Sequence, residues 1–105
     1  MIITTTETVP GKTIKEALGI ARGSTIRAKH IGRDIMATLK QLVGGELTGY
    51  TQMMNEAREE ALQRMIAHAV SLKADAVVNV RFMSADVAQG AAEMMVYGTA
   101  VKLKK

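Results

Sequence analysis

The sequence predicts an α+β fold: an antiparallel sheet covered on one face by one long and one short helix. Residues 51–72 repeat their apolar positions at helical spacing. Residues 76–83 and 91–103 alternate as strands do. The pair Gln89-Gly90, which lies between these two strands, favours a turn. One domain spanning residues 1–105 is sufficient to hold all of these elements.

The long helix is predicted from Thr51 to Leu72. Its apolar residues recur at intervals of three and four, which places them on one stripe. The middle of the stripe is made of alanines, so the helix can approach a sheet closely while methionines fill the remaining gaps. On the opposite, charged face Glu60 precedes Arg64 by four residues, a favourable orientation for an ion pair. The stripe consists of Met54, Ala57, Ala61, Met65, Ala69 and Leu72.

The remaining regular elements follow from local signals. Ile2 to Thr6 is short and β-branched, and the Pro10-Gly11 turn follows it, so it is predicted as an edge strand. Asp34 to Val43 has a helical apolar face that Gly44 ends, which predicts the short helix. The two alternating segments near the carboxyl end are joined by a turn and are predicted to form an antiparallel hairpin.

Residues Thr13 to Arg27 fit two structures. Thr13 and Glu16 have the spacing of a capping box, which favours a helix. Alternation of apolar and small residues fits a strand equally well. Gly19 and Gly23 would each weaken a helix by about 1 kcal/mol, whereas in a strand they mark a bend or a close backbone contact. We therefore predict a strand.

Composition restricts the classes of function. The chain has 105 residues, a net charge of +4, eight methionines, two histidines and no cysteine, which excludes disulfides and thiolate metal sites. No apolar run approaches the ~20 residues of a membrane span, and no signal peptide is evident, so a cytoplasmic protein without a membrane partner is predicted. The basic residues are scattered without aromatic neighbours, which disfavours nucleic acid as a partner.

The predicted strands are apolar on both sides. The helices can cover one face of the sheet, which leaves the second face without a cover inside one chain. That second face is predicted to hold Val77, Met94, Val96 and the small residues of the second strand. Because a monomer rarely exposes so much apolar surface, other copies of the chain are expected to cover it.

Six segments, in order over the whole chain, resemble the YbjQ-like family, which carries a heavy-metal-binding label and has no established activity. They are TTTETVPG (4–11), GRDI (32–35), GGE (44–46), AREEA (57–61), ADAVVNVRF (74–82) and YGTAV (97–101). The resemblance implies a dodecin-like subunit that forms a ring, with a pentamer as the expected homo-oligomer. Lys73 stands where the family often has glycine, and Asn79 where glycine is expected.

Candidate ligand residues come from three features. Amides at the start of the long helix and the glycines before it could hold a small anion, and arginines or carboxylates at an interface could orient one. Imidazoles could hold a divalent or heavy-metal ion, and thioethers a copper(I) ion. The ligand-binding candidates are Arg33, Asp34, Gly44, Gly45, Glu46, Tyr50, Arg58, Arg81 and Glu93. The metal candidates are His30 and His68, with the methionine pairs Met53-Met54 and Met94-Met95 considered for copper(I).

The preferred function is a ring-forming, non-catalytic binding or scaffold protein with a metal or small-anion site at its subunit junctions. No certain cofactor is predicted. One alternative is an interaction module for nucleic acid or protein that uses the basic tail Lys102–Lys105. Another is an enzyme with interfacial carboxylates, although the chain suggests no Ser, His and Asp constellation.

Overall fold

The computed structural model describes residues 1–28, 48–88 and 91–105. Within them the chain forms four strands and one helix. These elements are β1 (Ile2–Ile3), β2 (Ile14–Ala28), α1 (Thr48–Ser71), β3 (Ala76–Ala88) and β4 (Ala91–Leu103). The predicted short helix Asp34–Val43 and the Gln89-Gly90 turn lie outside the described residues.

The sheet has the strand order β1-β3-β4-β2. β3 and β2 both pair antiparallel with β4, which confirms the predicted hairpin. β1 pairs parallel with β3, so the sheet is mixed and the prediction of a purely antiparallel sheet was wrong. The first strand is also shorter than predicted, because after Ile3 the chain keeps contact with β3 through separate hydrogen bonds, including Thr4 N–H to Val77 O at 3.0 Å.

The ambiguous segment is a strand, β2, and its glycines have the two predicted roles. Gly19 has φ 121° and lies at a register shift against β4. Gly23 faces α1, where an added Cβ would overlap the backbone at Ala61 and Met65. The absence of a side chain at Gly23 therefore lets the helix backbone lie directly on the strand.

The helix α1 buries the predicted stripe. Ala57, Ala61, Met65 and Ala69 are at most 1% exposed, and they pack with Ala21, Val77 and Val96 of the sheet. The helix begins at Thr48, three residues earlier than predicted. Small residues on both sides of this contact permit the close approach, and Met65 is the largest fully buried side chain.

The side of the sheet that α1 covers is the opposite of the predicted one. Val77, Met94 and Val96 were expected on the uncovered face, but each is at most 3% exposed and belongs to the core with α1. Alternation groups residues on a face without stating which face a helix selects. Gly23 and Ala21 determine which face α1 packs on, because their small size lets the alanine stripe of the helix come close to the sheet.

A bulge in β3 also changes the predicted alternation. The register against β4 shifts between Val78 and Arg81, and Asn79 has φ 54°. Val77 and Val80 consequently share the core with α1, whereas Val78 packs in a separate cluster on the other face. One extra residue in a strand is enough to reverse the sides of everything after it.

The helix α1 ends in a Schellman motif with a lysine in the position that favours glycine. Lys73 N–H donates to Val70 O at 2.9 Å and Ala74 N–H donates to Ala69 O at 3.0 Å. Lys73 itself has φ 63°. Lys73 and Asn79 are thus both left-handed, which explains why glycine is expected at these two positions.

Lys73→Gly is expected to raise the free energy of unfolding by about 1 kcal/mol, because a side chain in the left-handed region is strained by about that amount. Urea unfolding at one protein concentration measures the change. Lys73→Ala is the matched control, since it removes the charge and keeps the Cβ. Equal stabilisation by both variants would show that charge, and not backbone strain, is responsible.

No helix in the part of the chain that the structure describes is long and apolar enough to cross a membrane.

Candidate functional site

The face of the sheet opposite α1, which we call the outer face, has a covered end and an open end. At the covered end the amino-terminal segment folds over the sheet, and Val9 packs on Ala76, Val78 and Val101. Towards the other end no described segment lies on the strands. The outer face therefore continues from a closed cluster into exposed sheet.

The open end of the outer face carries an apolar strip formed by Ile20, Ile26, Met83 and Tyr97. These side chains are 67%, 60%, 48% and 38% exposed, respectively. The registers place them on three adjacent strands, with Tyr97 opposite both Arg22 and Arg81, and Met83 opposite Met95. Exposed apolar side chains grouped on one sheet face are typical of a protein interface.

Charged side chains lie within and beside the apolar strip. Arg22 and Arg81 flank Tyr97 across the strands, and Glu93 lies between Ile26 and Ala85. Arg81 donates from Nη1 to Thr5 O at 3.1 Å and to Val80 O at 2.9 Å. The structure thus brings the predicted residues Arg81 and Glu93 to one face, where Arg81 also anchors the amino-terminal segment.

The edge of β3 that faces away from β4 has backbone groups without a strand partner in the described residues. Val80 N–H donates to Thr4 O at 3.1 Å, so the edge is occupied by the amino-terminal segment up to that residue. By strand alternation the backbone groups of Phe82 and Ser84 point the same way as those of Val80. Within the described ranges neither residue has a partner at this edge.

Arg58 lies on the other side of the sheet from Arg81. Its Nη1 donates to Asn55 Oδ1 at 2.8 Å, and its side chain lines a recess of about 220 Å³ with Phe82, Ser84 and Met94. Met83 completes the rim. Arg58 is therefore separated by the sheet from Arg81 and Glu93.

His68 contributes to the fold of the helix and sheet. Its Nδ1 accepts a hydrogen bond from Arg22 N–H at 3.1 Å, so Nε2 carries the ring hydrogen and can donate a hydrogen bond but has no lone pair for a metal ion. Among the residues that the structure describes, no three His, Cys, Asp or Glu side chains are grouped to hold a metal ion. A metal site that used His68 would need this hydrogen bond to break and further ligands to come from outside these residues.

The methionine pairs are not arranged as chelates. Met94 pairs with Thr25 and is buried on the α1 side, whereas Met95 pairs with Ser24 on the outer face. Met53 is buried and Met54 half-buried on α1. Because adjacent strand residues point to opposite faces, Met94 and Met95 cannot bind the same copper(I) ion within one chain.

The other predicted candidates cannot be placed by their side chains. Tyr50 lies in the first turn of α1. The remaining candidates lie outside the described residues, and they are His30, Arg33, Asp34, Gly44, Gly45 and Glu46.

Two contacts between α1 and β2, from Arg27 to Glu60 and from Arg64 to Ser24 O, were not predicted. Glu60 bridges Arg27 and Arg64, with Arg64 Nη2 2.5 Å from Glu60 Oε1. Arg64 Nη1 also donates to Ser24 O at 2.6 Å. Only the pair Glu60 and Arg64 had a sequence signal, namely the spacing of four on a helix.

In the described residues, this arrangement is a small α+β domain whose sheet is packed on one helix and is open over part of its other face. A family model described as "Putative heavy-metal-binding" matches residues 1–104. The chain therefore belongs to the YbjQ family, as its sequence motifs indicated.

Relatives match over nearly the whole chain. A "UPF0145 protein" of Methanosarcina acetivorans is 60% identical over 98% of this chain and 97% of its own length. A "UPF0145 protein" of Colwellia psychrerythraea is 55% identical over the full length of both. A crystal structure of a DUF74-family protein of unknown function from Pediococcus pentosaceus covers 99% of this chain and 98% of its own, with a TM-score of 0.62 and 18% identity. This last similarity shows the fold alone.

Proposed function

We propose that the chain is a non-catalytic binding subunit that assembles with copies of itself through the apolar strip. The observation that carries this proposal is the exposure of Ile20, Ile26, Met83 and Tyr97 on one open face. A face of this kind is stable in water when a second apolar surface covers it. Another copy of the chain can supply that surface. When the strip of each copy contacts a different surface of the next copy, closed symmetry produces a ring, with a pentamer as the expected form.

The ligand is a metal ion or a small anion held at the junctions between copies. Arg22 and Glu93 are on the outer face beside the strip, so a neighbouring copy brings additional guanidinium and carboxylate groups to them. Carboxylates from several copies suit a metal ion, and arginines suit an anion. The description of the family as heavy-metal-binding supports the metal. The site is shared because one chain presents too few ligands in its described part.

A non-catalytic role is proposed because His68 and Arg81 make hydrogen bonds to the protein backbone. His68 Nδ1 accepts from a backbone N–H, and Arg81 donates to two carbonyl groups. Both side chains are therefore engaged in holding the fold.

The assembly is tested by light scattering coupled to gel filtration. The natural chain is expected to elute with a mass of about five chains of 11.3 kDa. Ile20→Thr combined with Ile26→Thr is expected to give a monomer, because threonine keeps the strand preference and removes the apolar contact. Val70→Thr, at a 59% exposed position on α1, is the matched control and should leave the mass unchanged. A natural chain that is monomeric at micromolar concentration would overturn the proposal.

The ligand is tested separately by native mass spectrometry of protein purified without chelators and by titration with divalent metal ions and with phosphate. Binding that is lost in Glu93→Gln or Arg22→Gln while the assembly persists would support a junction site. An assembly that carries no ligand and gives no heat with any of these ions would refute the binding role and leave a scaffold.

A further inference from the structure

The lysines of the described part of the chain are concentrated at one end of the sheet. They lie before or at the start of β2, in the connection from α1 to β3, and at the end of β4. The registers Ile14 with Leu103 and Ala76 with Val101 bring these three regions together. The six lysines are Lys12, Lys15, Lys73, Lys102, Lys104 and Lys105.

Four of these lysines line a cleft of about 520 Å³, together with Asp75 and Leu103. They are Lys15, Lys102, Lys104 and Lys105. The volume lies within the range of small-molecule sites. No aromatic side chain lines the cleft, so it offers positive charge without a surface on which a base could stack.

Asp75 is already engaged by the protein. Its Oδ2 accepts from Leu103 N–H at 2.9 Å, and its Oδ1 lies 3.8 Å from Lys102 Nζ. The Leu103 N–H, assisted by the charges of Lys102 and Lys105, lowers the pKa of the Asp75 carboxyl below its ordinary value. The carboxylate thus orders the end of β4 and offsets only part of the charge of the four ammonium groups.

The backbone that carries the lysines is fixed. Lys104 N–H donates to Thr13 O at 2.8 Å, and Asp75 N–H donates to Val101 O at 2.9 Å. Within the described ranges, Lys15, Lys104 and Lys105 make no ion pair with a carboxylate. Flexible ammonium groups on a fixed backbone can adjust to several anionic oxygens in a row.

We propose that this cleft binds a chain of linked phosphates carried by a small molecule, such as a triphosphate. One phosphate group could engage only part of the four ammonium groups, whereas linked phosphates can contact all of them. Because the cleft has no stacking surface, the phosphates and not an attached base determine the affinity. The site lies within one chain, so it does not depend on the proposed assembly.

The experiment is calorimetric titration with tripolyphosphate at low ionic strength, where screening is weak. Lys15→Gln combined with Lys104→Gln is expected to weaken binding by about tenfold or more. Lys12→Gln combined with Lys73→Gln is the matched control, because it removes the same charge at the same end of the sheet outside the cleft. This control is expected to weaken binding by less than about threefold.

Parallel titrations identify the ligand class. ATP is expected to bind about as well as tripolyphosphate, and orthophosphate much more weakly. Failure of tripolyphosphate to bind would overturn the proposal, and so would equal losses in the cleft and control variants, which would indicate only general attraction of charge. Tighter binding of a single-stranded oligonucleotide than of tripolyphosphate would also overturn it, in favour of nucleic acid.

Discussion

Gly23→Ala is expected to lower the free energy of unfolding by about 3 kcal/mol or more. The new Cβ would overlap the backbone at Ala61 and Met65 and lie 2.8 Å from the carbonyl carbon of Arg64. A clash with backbone cannot be relieved by a side-chain rotation, so α1 must move away from β2. This movement would also loosen the contact of Ala61 with the sheet.

Chemical unfolding followed by circular dichroism, at one fixed protein concentration, measures this loss. Ser24→Ala is the matched control because Ser24 is adjacent in β2 and exposed, and its change should stay within about 0.5 kcal/mol. A Gly23→Ala variant that unfolds at the same denaturant concentration as the natural protein would show that the helix does not approach the strand as closely as described. Loss of a cooperative transition would agree with the prediction.

Met65→Ala is expected to cost about 2–5 kcal/mol, the range for truncating a fully buried large side chain. Met65 is 0% exposed and, with Met94, is one of two large side chains in a cluster of buried residues otherwise composed of alanines and valines. Few neighbours are large enough to fill the space that it leaves, so collapse of the cavity is limited. The same unfolding experiment measures the effect.

Val70→Ala provides the comparison for Met65→Ala, since Val70 lies on α1 and is 59% exposed. Its truncation should change the free energy of unfolding by less than about 0.5 kcal/mol. Similar losses in the two variants would mean that the core does not depend on Met65.

The long helix and strands β2, β3 and β4 could be predicted because each depends on a local pattern. The stripe through Ala57, Ala61 and Met65 repeats with helical period, and the strands β3 and β4 alternate. Gly19 and Gly23 correctly favoured a strand over a helix. The side of the sheet that α1 covers could not be predicted, because it depends on a close contact between Gly23 and a helix about 40 residues further along the chain.

The candidate site was predictable only in part. Arg81 and Glu93 do lie on one open face. Arg58 lies across the sheet, and the bond between Arg22 and His68 joins residues 46 positions apart with no sequence signal. The bulge at Asn79 changes which residues of β3 share a face, because it places Val78 and Val80 on opposite faces. Patterns of period two cannot reveal an inserted residue.

The contacts of His68 with Arg22 N–H and of Arg64 with Ser24 O have a consequence for the behaviour of the chain in concentrated solution. Strand β2 is an edge strand of the sheet, and exposed edge strands can pair with strands of other molecules to form fibrils. Two side chains from α1 already occupy the N–H of Arg22 and the carbonyl of Ser24, which an incoming peptide would need to pair with this part of the strand. A second chain must first displace α1 from the edge of β2 before it can pair with these groups. The contacts that hold α1 in place therefore also oppose amyloid-like association at this edge.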